Sequence, residues 1–234
     1  MSPNQSLLVA AAKALGPQLL ESCAFVGGCT VHLYLDDVRS AIKLRATDDV
    51  DVIVEVQPAS IIGYHHFADQ IKQRGFYESA EEGPICRFRG PGGLILDVMA
   101  TDERVLNFGN AWYAEAFAQA NWVTIDDGVN IKLISLEHFF ATKITSWRGR
   151  ANNDIFHRDA EDMVTVIDGV ANIERRFEQS SAALKQFVRE GLTELQQHEN
   201  FRFLIDGSLS VYQDPARTEA AYANWSNLIR RLQF

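Results

Sequence analysis

Between Asp48 and Val56 the chain reads DDVDVIVEV, a β-branched run that opens with three carboxylates. Valine and isoleucine favour extended backbone, and the period of two puts Val50, Val52 and Val54 on one face and Asp49 and Asp51 on the other. An aliphatic strand face has to be covered, so the run predicts a sheet with its core on the valine side, ending at Pro58. The opposite face is the unusual one. Two ionised carboxylates about 4 Å apart repel by roughly 4 kcal/mol at an effective dielectric near 20, and aspartate is a poor strand former. Solvent at a strand end offsets part of that cost. A divalent cation offsets it fully, and Mg²⁺ prefers one or two carboxylates together with waters and substrate phosphates.

A third acid, Asp97, interrupts the apolar stretch LILDVMA. It reads either as a buried hydrogen-bonded acid or as a ligand, since an acid in a buried strand needs a partner or a metal. If its strand neighbours the valine-rich one, Asp49, Asp51 and Asp97 form a three-carboxylate cage. Two cations held about 4 Å apart in it would clamp a phosphoryl group between attacking and leaving oxygens. Gly27 and Gly28 follow a short strand around Ala24–Val26 and precede the helical-looking CTVHLYL, an arrangement that lets backbone N–H groups approach a phosphate.

The rest of the chain divides in two. Residues 1–130 read as an α/β domain of α+β character, with a mixed sheet and flanking helices. It has a helix over 5–15 stopped by Gly16 and Pro17, the two strands above, a helix over 63–74 ending at Gly75, and a strand ICRFRG joined to LILDVMA by a Pro-Gly-Gly turn. Residues 131–234 switch to helical periods and read as a helical domain that completes a nucleotide cleft. The first part is acidic, with nine Lys/Arg against seventeen Asp/Glu; the second is nearly balanced, with thirteen against fourteen. A local cationic cluster, Lys143, Arg148, Arg150 and Arg158, offers a polyanion its best approach. Three cysteines without framework spacing point to free thiols and a cytoplasmic protein. The amino terminus does not read as a secretory signal, and no run approaches a membrane span.

Taken together, Val26-Gly27-Gly28, then Asp49-Val50-Asp51-Val52, then Asp97 on a third strand resembles the nucleotidyltransferase fold superfamily. Within it the closer resemblance is to the AbiEii-like and MenT-like toxin nucleotidyltransferases, with Arg45 and Thr47 ahead of the acidic pair as in those proteins. The likeness extends to Lys143 and to HRDAEDM with Arg158, Asp159 and Asp162, and covers about residues 23–165. It implies a metal-dependent transfer of a nucleotidyl group from an NTP to tRNA or protein, in a toxin-antitoxin or phage-defence setting with a cognate antitoxin as partner and no membrane. By resemblance, Asp49, Asp51 and Asp97 hold Mg²⁺ or Mn²⁺, and Gly27, Gly28, Thr30, Arg45, Thr47 and Lys143 attend the nucleotide. Asp159 or Asp162 then orients Lys143 or the substrate. One departure is the spacer of twenty residues between Gly28 and Asp49, longer than usual, with DDVRSAIKL as the apparent insertion.

Each residue also has a structural reading. Asp48 suits a turn, Lys143 an amphipathic helix surface, and Arg45 a salt bridge to its acidic neighbours as readily as a phosphate. Arg148 and Arg150 suit solvent or pairing with Asp159 and Glu161. Phe139, Phe140, Trp147 and Phe156 suit a core, although Trp147 could stack a base. Adjacent His65 and His66 do not converge on one ion. Phosphate loops of the Gly-Lys-Thr type and dinucleotide fingerprints are missing. Two other functions fit the same acids: a small-molecule, antibiotic-type nucleotidyltransferase, and a non-catalytic binding module that retains the fold.

Overall fold

The computed structural model describes residues 2–36, 44–55, 61–78, 84–149 and 152–233. Pro58, residues 37–43 of the apparent insertion and Arg150 lie outside them. The chain is of α+β class and its contacts divide it into two compact units. Residues 1–33 and 45–135 form the first, residues 34–44 and 136–234 the second.

In the first unit α1 (Pro3–Glu21) leads into β1 (Cys23–Val26), a 3₁₀ turn (Gly28–Leu33) and β2 (Asp49–Val54). Next come α2 (Ile61–Lys72), β3 (Tyr77–Glu78), β4 (Arg87–Arg89), β5 (Ile95–Ala100), α3 (Tyr113–Ala118), β6 (Asn121–Asp126) and β7 (Val129–Leu133). The sheet order is β3-β4-β5-β2-β1-β7-β6. β2 runs parallel to β5 and antiparallel to β1, while β1 is parallel to β7. The strand with the strongest β-branched signal therefore sits at the middle of the sheet.

The pattern of two holds in the packing. Val50, Val52 and Val54, with Leu96 and Val98 of β5, join Leu8, Leu15 and Leu19 of α1 and Phe67 and Ile71 of α2 in one buried cluster. Burying such side chains gives about 1.5–3 kcal/mol each, enough to fix which face turns inward. α1 outlasts the expected stop: Gly16 breaks the helix at φ 68°, and Pro17 opens the next stretch, where its missing N–H costs nothing. The β6–β7 hairpin was not expected either, although Asp127-Gly128 between alternating apolar residues is a hairpin signal.

The second unit is helical: α4 (Leu136–Gly149), α5 (Arg158–Gly169), α6 (Ala182–Gln197), α7 (Phe201–Leu209) and α8 (Pro215–Arg231). Phe139 and Phe140 are fully buried in α4, and Trp147 donates its indole N–H to the Asp154 carbonyl at 2.9 Å. Phe156, expected in a core, is instead half exposed. Gly191 of α6 lets Ile144 of α4 approach to where a Cβ would stand 2.4 Å away. Leu35 and Asp36, at the start of the apparent insertion, dock on the end of α5, where the Asp36 N–H donates to the Gly169 carbonyl at 3.0 Å.

Candidate functional site

Strand register explains how acids far apart in sequence meet. Asp51 of β2 lies directly beside Asp97 of β5 in the parallel ladder, and Arg87 of β4 lies directly beside Asp97 in the antiparallel one. Direct cross-strand partners share a face with Cβ atoms about 5 Å apart. Arg87, Asp97 and Asp51 thus form one row across the sheet, and Asp49, two residues before Asp51, shares their face. This face is opposite the valines.

The row is closed by a cation of the chain itself. Arg87 Nε donates to Asp97 Oδ1 at 2.8 Å, and Arg87 Nη2 donates to Asp97 Oδ2 at 2.7 Å and to Asp49 Oδ2 at 2.9 Å. The hydrogen bonds to Asp97 hold the guanidinium protonated well above its ordinary value. Asp97 is buried, while the Arg87 and Asp49 side chains keep 23% and 17% of their surface exposed. The adjacent Cys86 thiol is pushed up to about 12 by burial, with Asp97 and Asp51 adding to the effect. Asp51 packs on Gly27, which has φ 82°; a Cβ there would fall 2.0 Å from Asp51 Oδ2. Glycine is required twice over, by the left-handed backbone and by the carboxylate against it.

The other expected residues are placed as follows. The Thr30 hydroxyl donates to the Gly27 carbonyl at 2.8 Å and so closes the turn after β1. Asn4 of α1 pins the approach to β2, donating to the Arg45 carbonyl and accepting from the Thr47 N–H, both at 3.0 Å. Asp48 is exposed, as are His65 and His66. Cys23, Cys29 and Cys86 are all buried.

Lys143 belongs to a second charged group, within the helical unit. Its ammonium donates to Asp159 Oδ1 at 2.8 Å and to Asp162 Oδ2 at 2.6 Å, and stands 5.7 Å from the Phe139 ring centre. Burial pulls this lysine down, but the charges of Asp162 and Asp159 more than reverse the effect and leave its pKa raised. Asp159 and Asp162 lie in the first turn and a half of α5, capped by His157, so their carboxylates point at α4 from a fixed helix end. Arg148 pairs with Glu194 rather than with Asp159 or Glu161.

No family model and no curated protein matches this chain.

Among the described residues no three His, Cys, Asp or Glu converge as a ready-made metal site. The donor set nevertheless fits a hard divalent cation. All three groups are carboxylates, and one cationic nitrogen already touches two of them, as a metal would. A guanidinium brings one positive charge to three carboxylates; Mg²⁺ brings two. The crowding of acids is thus met in part without metal, at Asp97 and Asp49. The case for a metal rests on the donor chemistry and on the seat that Gly27 leaves for the Asp51 carboxylate. Sequence reasoning passed over Arg87. The Pro91-Gly92-Gly93 turn is centred on residue 92, and counting outward from it along the hairpin sets Arg87 opposite Asp97.

Proposed function

We propose that this chain is a metal-dependent nucleotidyltransferase acting through Asp49, Asp51 and Asp97. The observation that carries the reading is the row of acids on one sheet face, with Asp51 seated on Gly27 and a cation already bridging Asp97 to Asp49. Mg²⁺ or Mn²⁺, when bound, would supply charge compensation for the triphosphate. Asp49, Asp51 and Asp97 would hold it, and Asp97, once free of Arg87, would also accept or help remove the proton of an acceptor hydroxyl. The turn at Gly27 and Gly28 would let the triphosphate lie close to the backbone. The acceptor in this reading is tRNA or protein, with an antitoxin as inhibitory partner.

One observation favours a second reading. The Arg87 bridge satisfies Asp97 and Asp49 without metal, which suits a non-catalytic binding module that keeps the fold. Transfer of label from α-labelled NTPs decides between them, run with Mg²⁺ or EDTA, with total tRNA, with protein, with an aminoglycoside panel and without acceptor. Mg²⁺-dependent labelling that Asp51→Asn abolishes is expected. Labelling of drugs alone would redirect the acceptor to small molecules, and no labelling with any NTP or acceptor would leave the binding module.

A further inference from the structure

The oxygens that Arg87 engages are the ones a divalent cation needs. Both oxygens of Asp97 and Oδ2 of Asp49 receive its N–H groups at 2.7–2.9 Å. Magnesium would sit about 2.1 Å from the same atoms. A carboxylate oxygen has a second lone pair, but sharing it would hold the guanidinium about 4 Å from the ion, with like charges facing each other and no water between. Guanidinium and metal therefore compete for these oxygens.

The exchange is confined to a side chain. The Arg87 backbone is fixed in the ladder to β5, with its neighbour Phe88 fully buried, whereas the guanidinium keeps a route to solvent. A displaced arginine needs a new partner, and its planar fork matches phosphate oxygens as well as carboxylates. A triphosphate that arrives with the metal provides one. On the reading of Asp49, Asp51 and Asp97 as the metal-holding group, we infer that Arg87 is a built-in counter-cation. It occupies Asp97 and Asp49 until a divalent cation arrives with its nucleotide, and then transfers to the nucleotide's phosphates. Metal and nucleotide then bind as a couple. By linkage, each raises the affinity of the other by the same factor.

The test is Mn²⁺ binding, measured by calorimetry and by the paramagnetic signal of free Mn²⁺, for metal alone and for metal with a non-hydrolysable NTP analogue. Wild type is expected to bind Mn²⁺ at least ten-fold tighter with the analogue than without. Arg87→Gln is expected to bind Mn²⁺ alone at least ten-fold tighter than wild type and to lose most of the coupling. Arg87→Lys, which keeps the charge but not the fork, falls between. If Arg87→Gln binds Mn²⁺ alone no tighter than wild type, while Asp51→Asn abolishes uptake, the metal site stands and the counter-cation role is overturned. If wild type takes up no Mn²⁺ even with the analogue, the site reading itself falls. A measurement on wild type needs no variant: the assigned Arg87 Nε–H resonance, protected in metal-free protein, should shift and exchange faster with Mg²⁺ and analogue. Its persistence unchanged at saturation overturns the proposal.

Discussion

Two groups in this chain have similar ingredients and different settings. In the helical unit Lys143 is sealed between Asp159 and Asp162, with side-chain exposures of 6%, 0% and 10%. In the sheet unit Arg87 joins Asp97 and Asp49 at a row that stays partly open, and a third acid, Asp51, lies in the same row. A sealed group cannot exchange its cation without exposing buried carboxylates to a low dielectric. A partly open one can. The difference teaches that burial, rather than the number of acids, decides whether an acid-rich cluster can exchange the cation it holds.

The largest expected effect breaks the sealed group. Lys143→Met leaves two buried carboxylates without their cation and should cost about 3–5 kcal/mol in urea denaturation. The triple variant Lys143→Met, Asp159→Asn, Asp162→Asn removes the charges together and should recover more than half of that loss. A cost below about 1 kcal/mol for Lys143→Met alone would show that the group is not sealed. The opposite signature belongs to the open row. Asp51→Asn removes a charge from a crowded set, so the denaturation midpoint should hold or rise, while Mg²⁺-dependent label transfer should fall by about 100-fold or more, as for loss of a group acting on developing charge. A matching loss of stability would turn the open row into a second structural group.

Much of this contrast was legible in the sequence, and the missing part has a physical cause. DVDVIV announced a strand with a buried valine face and an acidic face because alternation is a local property, readable without knowing the neighbours. The α+β class followed from strands giving way to helical periods after Ser135. Asp97 could be suspected, since an acid in an apolar run is costly wherever the run packs. Arg87 was not singled out, because an arginine in a short polar-apolar strand is ordinary until hairpin register sets it against Asp97. The resemblance already set Asp159 or Asp162 beside Lys143, but its burial was hidden for a similar reason. A lysine on an amphipathic helix looks exposed until the first turns of α5 are known to aim two carboxylates at it.

Alkaline pH should separate the two groups by a smaller amount. Burial raises Cys86, beside the open row, to about 12. A raised thiol means that the fold favours the protonated form. Its contribution is complete below the unfolded value near 9 and is lost as pH climbs toward 12, at about 1.4 kcal/mol per pH unit. Lys143 is also raised, so its contribution is complete below the ordinary lysine value of about 10.4 and is lost only above it. Stability should therefore start to fall before the sealed group is affected, and Cys86→Ala should flatten the first part of the slope. Cys23, likewise at about 12 through burial, adds a slope of the same sign and is removed in parallel as Cys23→Ala.

The smallest expected effect completes the scale. Arg202 also meets two carboxylates, Asp206 at 3.2 Å and Glu219 in close contact, but all three side chains are about half exposed. The ingredients match those around Lys143, yet water and salt can replace each contact, and three long side chains lose rotamer freedom in making it. Arg202→Ala should leave the urea midpoint unchanged within error at 0.15 M salt. A drop comparable to that of Lys143→Met would mean that the number of carboxylates around a cation matters more than their burial, and the contrast between the sealed and open groups would lose its physical basis.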